Sequence, residues 1–133
     1  MVVLSKGLYK EIRTVVTREM TAKHIGSGST EVLSTPTMIL LMEEAARRLA
    51  DEHLPEGQTT VGVSVNVKHA RAVPVGEEVV VRAEIMAVEG RRIMYWVEAR
   101  WGGKLVGYGY HERAIIDIEE FSKRLEGEKN KKQ

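Results

Sequence analysis

Residues 34–51 read STPTMILLMEEAARRLAD, and this stretch decides the fold. At 100° per residue, Met38, Leu41, Met42, Ala45, Ala46 and Leu49 gather on one face, while Glu44, Arg47, Arg48 and Asp51 point elsewhere. The spacing predicts a helix running to about Asp51 with a single apolar stripe. Pro36 suits its first position, where a missing N–H breaks no bond, and Thr35 is placed to cap it through its hydroxyl. Leu54-Pro55-Glu56-Gly57 then ends the helix and turns the chain.

A helix that is apolar on one face needs a second layer, and the sequence on either side supplies strands. Tyr9–Thr17 is apolar and β-branched, and Met20–Ser34, with Gly26 and Gly28 among Ser and Thr, reads as a loop. Beyond the helix, Thr59, Val61, Val63, Val65 and Val67 alternate with Gly62, Ser64, Asn66 and Lys68. Strict alternation carries His69 onto the valine face. Glu77–Glu89 has Val79, Val81, Ala83, Ile85 and Ala87 on one side. Gly90-Arg91 turns it into Ile93–Trp101, and Gly102-Gly103 turns that into Leu105–Ile116. Asp117–Leu125 reads as a short terminal helix and Glu126–Gln133 as a polar, frayed tail. The expected architecture is α+β, a long central helix wrapped by a curved antiparallel sheet of about five strands. It forms a single domain over residues 1–125, with 126–133 as the tail. The other sheet face still needs cover, which dimerisation would supply.

Composition narrows the function. In 133 residues, 20 Lys and Arg face 19 Asp and Glu, so the net charge is +1 and there is no long-range field of the kind nucleic-acid binders use. The basic residues are scattered and few aromatics interleave with them. The absence of Cys removes disulfides, thiolate metal sites and a cysteine nucleophile. No apolar run approaches the roughly 20 residues of a bilayer span. Met1–Leu8 lacks the pattern of a signal peptide. A soluble, cytoplasmic protein with neither nucleic-acid nor membrane partners is expected. Phosphate loops, dinucleotide fingerprints and nucleophile elbows are all missing.

Few residues remain that can carry chemistry. Glu43 sits at the flank of the apolar stripe, where partial desolvation would strengthen it as a base; the plainer reading is an exposed helix Glu beside Arg47. His69, at a strand end facing the core, is either a hydrogen-bonded structural group or a general acid–base. Thr35 is first of all a cap, although a hydroxyl at a helix N-terminus can also hold a carboxylate, a water or an oxyanion. Gly62 interrupts a run of valines and so marks a close approach, by a ligand or by the helix. Alternation sends His111 and Arg113 to one face and Glu112 to the other, which reads as a charged sheet surface or a dimer contact. HER has no metal-motif spacing.

Three blocks carry a resemblance: VLSTPTMILLMEEAA (Val32–Ala46), TTVGVSVNVKHARAVPVGEEV (Thr59–Val79), and VEGRRIMYWVEA joined to GYGYHERAIID (Val88–Asp117). From about Val15 to Phe121 the chain resembles the hot-dog-fold acyl-CoA thioesterases, and among them the fluoroacetyl-CoA thioesterase-like group. The spacing of Thr35, Glu43, Gly62 and His69 agrees with that group's Thr, Glu, Gly and His positions. The resemblance implies a Thr35/Glu43/His69 constellation and a homodimer, or a dimer of dimers, with sites at the subunit interface. In that mechanism Glu43 acts as base or nucleophile, His69 shuttles the proton, and Thr35 orients Glu43 or the water. The Gly62 N–H meets the carbonyl oxygen, and Lys68 and Arg71 hold the phosphates of CoA. CoA enters as part of the substrate, and neither a metal nor a separate cofactor is implied. The loop Lys23–Leu33 is short and has no Phe, whereas the fluoroacetyl-specialised form has a longer, Phe-containing segment there. A general small- or medium-chain acyl-CoA is therefore the expected substrate. The alternative on the same fold is a non-catalytic acyl-CoA or acyl-carrier binding module.

Overall fold

The central helix lies across one face of a five-stranded antiparallel sheet. The structure, a computed structural model, describes residues 3–132. In chain order the elements are β1 (Tyr9–Val15), a 3-10 turn (Arg18–Met20), α1 (Ala22–Ile25), α2 (Thr35–Asp51), β2 (Gln58–His69), β3 (Glu78–Glu89), β4 (Arg92–Trp101), β5 (Lys104–Asp117) and α3 (Ile118–Lys131). The strand order is β1-β3-β4-β5-β2, so β1 and β2 form the two edges. This is the hot-dog arrangement that the resemblance implied.

The stripe read from α2 is the core face. Met38, Leu41, Met42, Ala45, Ala46 and Leu49 are all buried, and Ala50 joins them. They pack on Val79, Val81, Ala83 and Ile85 of β3 and on Ile93, Tyr95, Val97 and Ala99 of β4. Each fully buried Val-, Leu- or Met-sized side chain contributes roughly 1.5–3 kcal/mol, so this sandwich dominates stability. Gly102 and Gly103 have φ of 55° and 78°. A two-residue hairpin with both residues left-handed matches the strand twist, and Gly adopts it without a Cβ clash.

Four expectations change. The cap of α2 is Ser34, not Thr35: its Oγ accepts from the Thr37 N–H at 3.1 Å, and Thr35 is already helical. In β3 a bulge between Ile85 and Ala87 turns Ala87 outward and brings Val88 against the core. The expected loop before α2 folds into the 3-10 turn and α1, whose Gly26 end adopts φ 83°. The polar tail is helical through Lys131. Glu119 and Glu120 in its first turn and Lys129 and Lys131 in its last complement the helix dipole, and Lys123 pairs with Glu119 one turn away.

The fourth strand in sheet order, β5, is flanked by β4 and β2, and the margin of β2 is open. Val63 and Val65 remain 45% and 38% exposed. Among the described residues no helix is long and apolar enough to cross a membrane.

Candidate active site

One bulge assembles the site. β2 pairs with β5 through Gly62↔Arg113 and then Ser64↔Glu112, so Val63 is the extra residue. Strict alternation would send Gly62 and His69 to opposite faces. The inserted residue flips the phase, and both now face α2 together with Val65 and Val67. Val61 is thereby separated from the later valines, which corrects the single valine face expected for this strand. Lys68 is turned to the outer face and does not line the cleft that holds His69.

At the N-terminal end of α2, Thr35 Oγ1 and His69 Nδ1 share a hydrogen bond of 2.8 Å, although they are 34 residues apart in sequence. Because Ser34 does the capping, the Thr35 hydroxyl is released for this contact. Within the chain the Thr35 hydroxyl is thus paired with the imidazole. The two residues line an open cleft of about 290 Å³ with Ala22, Val32, Ala70 and Arg71. Burial pushes the His69 imidazole below its ordinary value of 6.5, with the Arg71 backbone pulling the other way. His69 Nε2 is buried and has no hydrogen-bond partner among the described residues.

Glu43 stands eight positions beyond Thr35 on α2, about 12 Å along the helix axis. It does not join the Thr35–His69 pair within one chain. Its carboxylate lies over Gly62, where an added Cβ would come within 2.9 Å of Oε2. Glycine here leaves room for the helix carboxylate. Replacing Gly62 by Ala should leave the melting temperature nearly unchanged, since the flexible end of Glu43 can yield, but it displaces the carboxylate. A kcat for acyl-CoA hydrolysis lowered by about tenfold at unchanged Tm is the expected result.

The cation beside Glu43 is Arg113, at 3.7 Å from Nη1 to Oε2. Arg113 and His111 read from the sequence as a charged sheet surface or a dimer contact, yet both residues are buried under α2. Arg113 Nε donates to Thr60 Oγ1 at 2.7 Å and Nη2 donates to the Thr60 carbonyl at 3.0 Å. Nη1 donates to His111 Nε2 at 3.2 Å. The sequence signal was the alternation that put both on one face; the missing step was that this face is the helix side. Burial lowers the pKa of Arg113, opposed by Tyr95 and Glu43, and the guanidinium stays charged. A larger hollow of about 400 Å³, at the root of α3, is lined by the ion-paired Arg91 and Asp117 and contains none of these residues.

The model of a family described as fluoroacetyl-CoA-specific thioesterase matches residues 16–119. A fluoroacetyl-CoA thioesterase of Streptantibioticus cattleyicolor is 40% identical over 95 residues, covering 71% of this chain and 68% of that protein. A crystal structure of a fluoroacetyl-CoA-specific thioesterase variant in complex with fluoroacetate and CoA is 35% identical. It superposes with a TM-score of 0.83 over 89% of this chain and 99% of that one. A Thermus thermophilus hypothetical protein, a thioesterase superfamily member, is 30% identical with a TM-score of 0.89, over 98% and 97% of the two chains. A hot-dog-like protein from Thermanaerovibrio acidaminovorans is 25% identical with a TM-score of 0.86, over 94% and 93%.

Proposed function

The chain belongs to the fluoroacetyl-CoA-specific thioesterase family, and from that membership we propose that it hydrolyses a small or medium acyl-CoA to the free acid and CoA, using Thr35, Glu43 and His69. The observation that carries the assignment to these residues is the Thr35–His69 hydrogen bond on the wall of an open cleft. A histidine with one nitrogen held by a hydroxyl and the other buried without a partner is oriented for a proton transfer.

In this reading Glu43 takes a proton from water as the water oxygen attacks the thioester carbonyl carbon. The carbon–sulfur bond then breaks, and the proton taken by Glu43 passes through His69 to the departing thiolate, which returns both side chains to their starting states. Arg71, on the cleft rim, holds phosphate oxygens of CoA, a role that Lys68 on the outer face is poorly placed to share. The 12 Å between Thr35 and Glu43 leaves each chain with two separated halves. We place the complete site across a homodimer, with Glu43 of one subunit opposite Thr35 and His69 of the other. The open β2 edge, with Val63 and Val65 exposed, supports pairing there. The Lys23–Leu33 loop carries no Phe, which supports a substrate range wider than fluoroacetyl-CoA. A cytoplasmic location is part of the same reading.

The test is CoA release, followed with a thiol reagent over acetyl- to dodecanoyl-CoA. The protein has no Cys, so the signal has no protein background. Turnover with a chain-length optimum is expected. Absence of turnover on every substrate would sink the hydrolase reading in favour of a binding module.

A further inference from the structure

The hydrogen bonds of His111 fix its proton. Nδ1 lies 2.8 Å from the Ser64 carbonyl, which can only accept, so Nδ1 carries a hydrogen. Nε2 lies 3.2 Å from Arg113 Nη1, which can only donate, so Nε2 is bare. The ring is therefore a neutral relay between the β2 backbone, at the bulge that creates the site, and the guanidinium that faces Glu43.

We propose that His111 is a positioning residue for the hydrolytic reaction: by accepting from Arg113 it fixes the guanidinium against Glu43, and taking a second proton releases it. The Thr60 oxygens anchor Nε and Nη2, and among the described residues only the bond to His111 anchors Nη1, the nitrogen that faces Glu43. Protonated His111 would set two donors against each other at 3.2 Å, and Nη1 would lose both its acceptor and its fixed direction. The position relative to Glu43 would then loosen. The proposal rests on Glu43 acting in hydrolysis, as argued above.

The groups that face His111 agree with this. On its own strand the charged neighbour is Arg113. On α2 it is Glu43, with Asp51 and Arg47 acting further off through Arg113. On β4 the titratable neighbour is the neutral phenol of Tyr95, stacked on the imidazole at 5.9 Å between centroids, with its hydroxyl donating to the Ala46 carbonyl at 3.0 Å. On β2 the partner is the uncharged Ser64 carbonyl. Burial and Arg113 favour the neutral ring, and the Ser64 bond and Glu43 oppose them; the net shift is below the ordinary 6.5.

Two variants separate packing from positioning. His111→Phe keeps the ring stack on Tyr95 and removes both nitrogens. His111→Gln offers an amide donor and acceptor at nearly the spacing of the two imidazole nitrogens and does not titrate. The direct readout is the nitrogen-15 NMR signal of the Arg113 guanidinium, whose Nη groups resolve when rotation is hindered. At about pH 7.5, resolved signals are expected in wild type and His111→Gln and an averaged signal in His111→Phe. As the pH is lowered below the ordinary imidazole range until the nitrogen-15 signals of His111 itself report its second proton, the wild-type Arg113 signals should average while those of His111→Gln stay resolved. With acetyl- to dodecanoyl-CoA, kcat should fall about tenfold in His111→Phe with KM nearly constant, and stay within about threefold of wild type in His111→Gln. Arg113 signals in His111→Phe that match wild type would overturn the proposal, as would His111→Gln signals that average with pH as wild type does. Should His111→Phe fail to fold, the pH comparison of His111→Gln with wild type still decides. If the Arg113 signals behave as expected while no form releases CoA, the positioning role stands and the thioesterase reading fails.

Discussion

Replacing Glu43 by Gln is expected to lower kcat for acyl-CoA hydrolysis by about 10²–10⁴-fold, the usual contribution of a positioned general base, with KM nearly unchanged. The amide has the shape of the carboxylate and can keep an oxygen turned towards Arg113, so it preserves the packing over Gly62. What it removes is the capacity to take a proton. It also leaves Arg113, whose side chain is 7% exposed, without its carboxylate partner. Removing one member of a deeply buried pair costs several kcal/mol, but the Glu43 side chain is 37% exposed and water screens the change. A modest fall in melting temperature should therefore accompany a large fall in kcat. CoA release by the folded variant within about threefold of wild type would remove Glu43 from the chemistry.

On the proposed mechanism, in which His69 passes the proton to the leaving thiolate, His69→Ala should cost about 10²–10³-fold in kcat; it also removes the hydrogen-bond partner of the Thr35 hydroxyl. Thr35→Ala should cost less, since it removes only the group that orients the ring. The pH dependence provides a second readout. The His69 pKa is lowered in the fold, so its neutral form is the one that folding favours. Its contribution to stability is complete above the unfolded value of about 6.5 and is lost as the pH falls through the lower folded value. The melting temperature of wild type should drop over that window, and that of His69→Ala should drop less. His111, lowered for the same reason, adds a contribution of the same sign. Identical profiles for wild type and His69→Ala would show that His69 does not titrate differently in the fold.

The two halves of the candidate site differed in how far the sequence revealed them. Thr35, Glu43, Gly62 and His69 were visible through position and resemblance, because each marks a local feature: a helix start, the flank of a stripe, a gap in a valine run, a strand end. His111 and Arg113 were visible only as an alternating pair with no assigned face. Their face depends on which layer β5 presents to α2, and no spacing within β5 encodes that. The expected cap shows the same limit on a smaller scale. Ser34 and Thr35 are both good caps, and Ser34 takes the role because its backbone is extended where Thr35 is already helical, which leaves the Thr35 hydroxyl to a histidine 34 residues away.

Sequence by itself determined the elements of this protein: the apolar stripe of α2, the order of the strands along the chain and the glycine hairpin. Each of these follows from periodicity or backbone freedom within a few residues, where local sterics and amphipathic burial act. Only the tertiary structure decided the site. The Val63 bulge that puts Gly62 and His69 on one face, the Thr35–His69 bond and the Glu43–Arg113–His111 chain join residues far apart in sequence. Such contacts exist once the sheet register and the seating of the helix on it are set, and both come from packing the whole core at once.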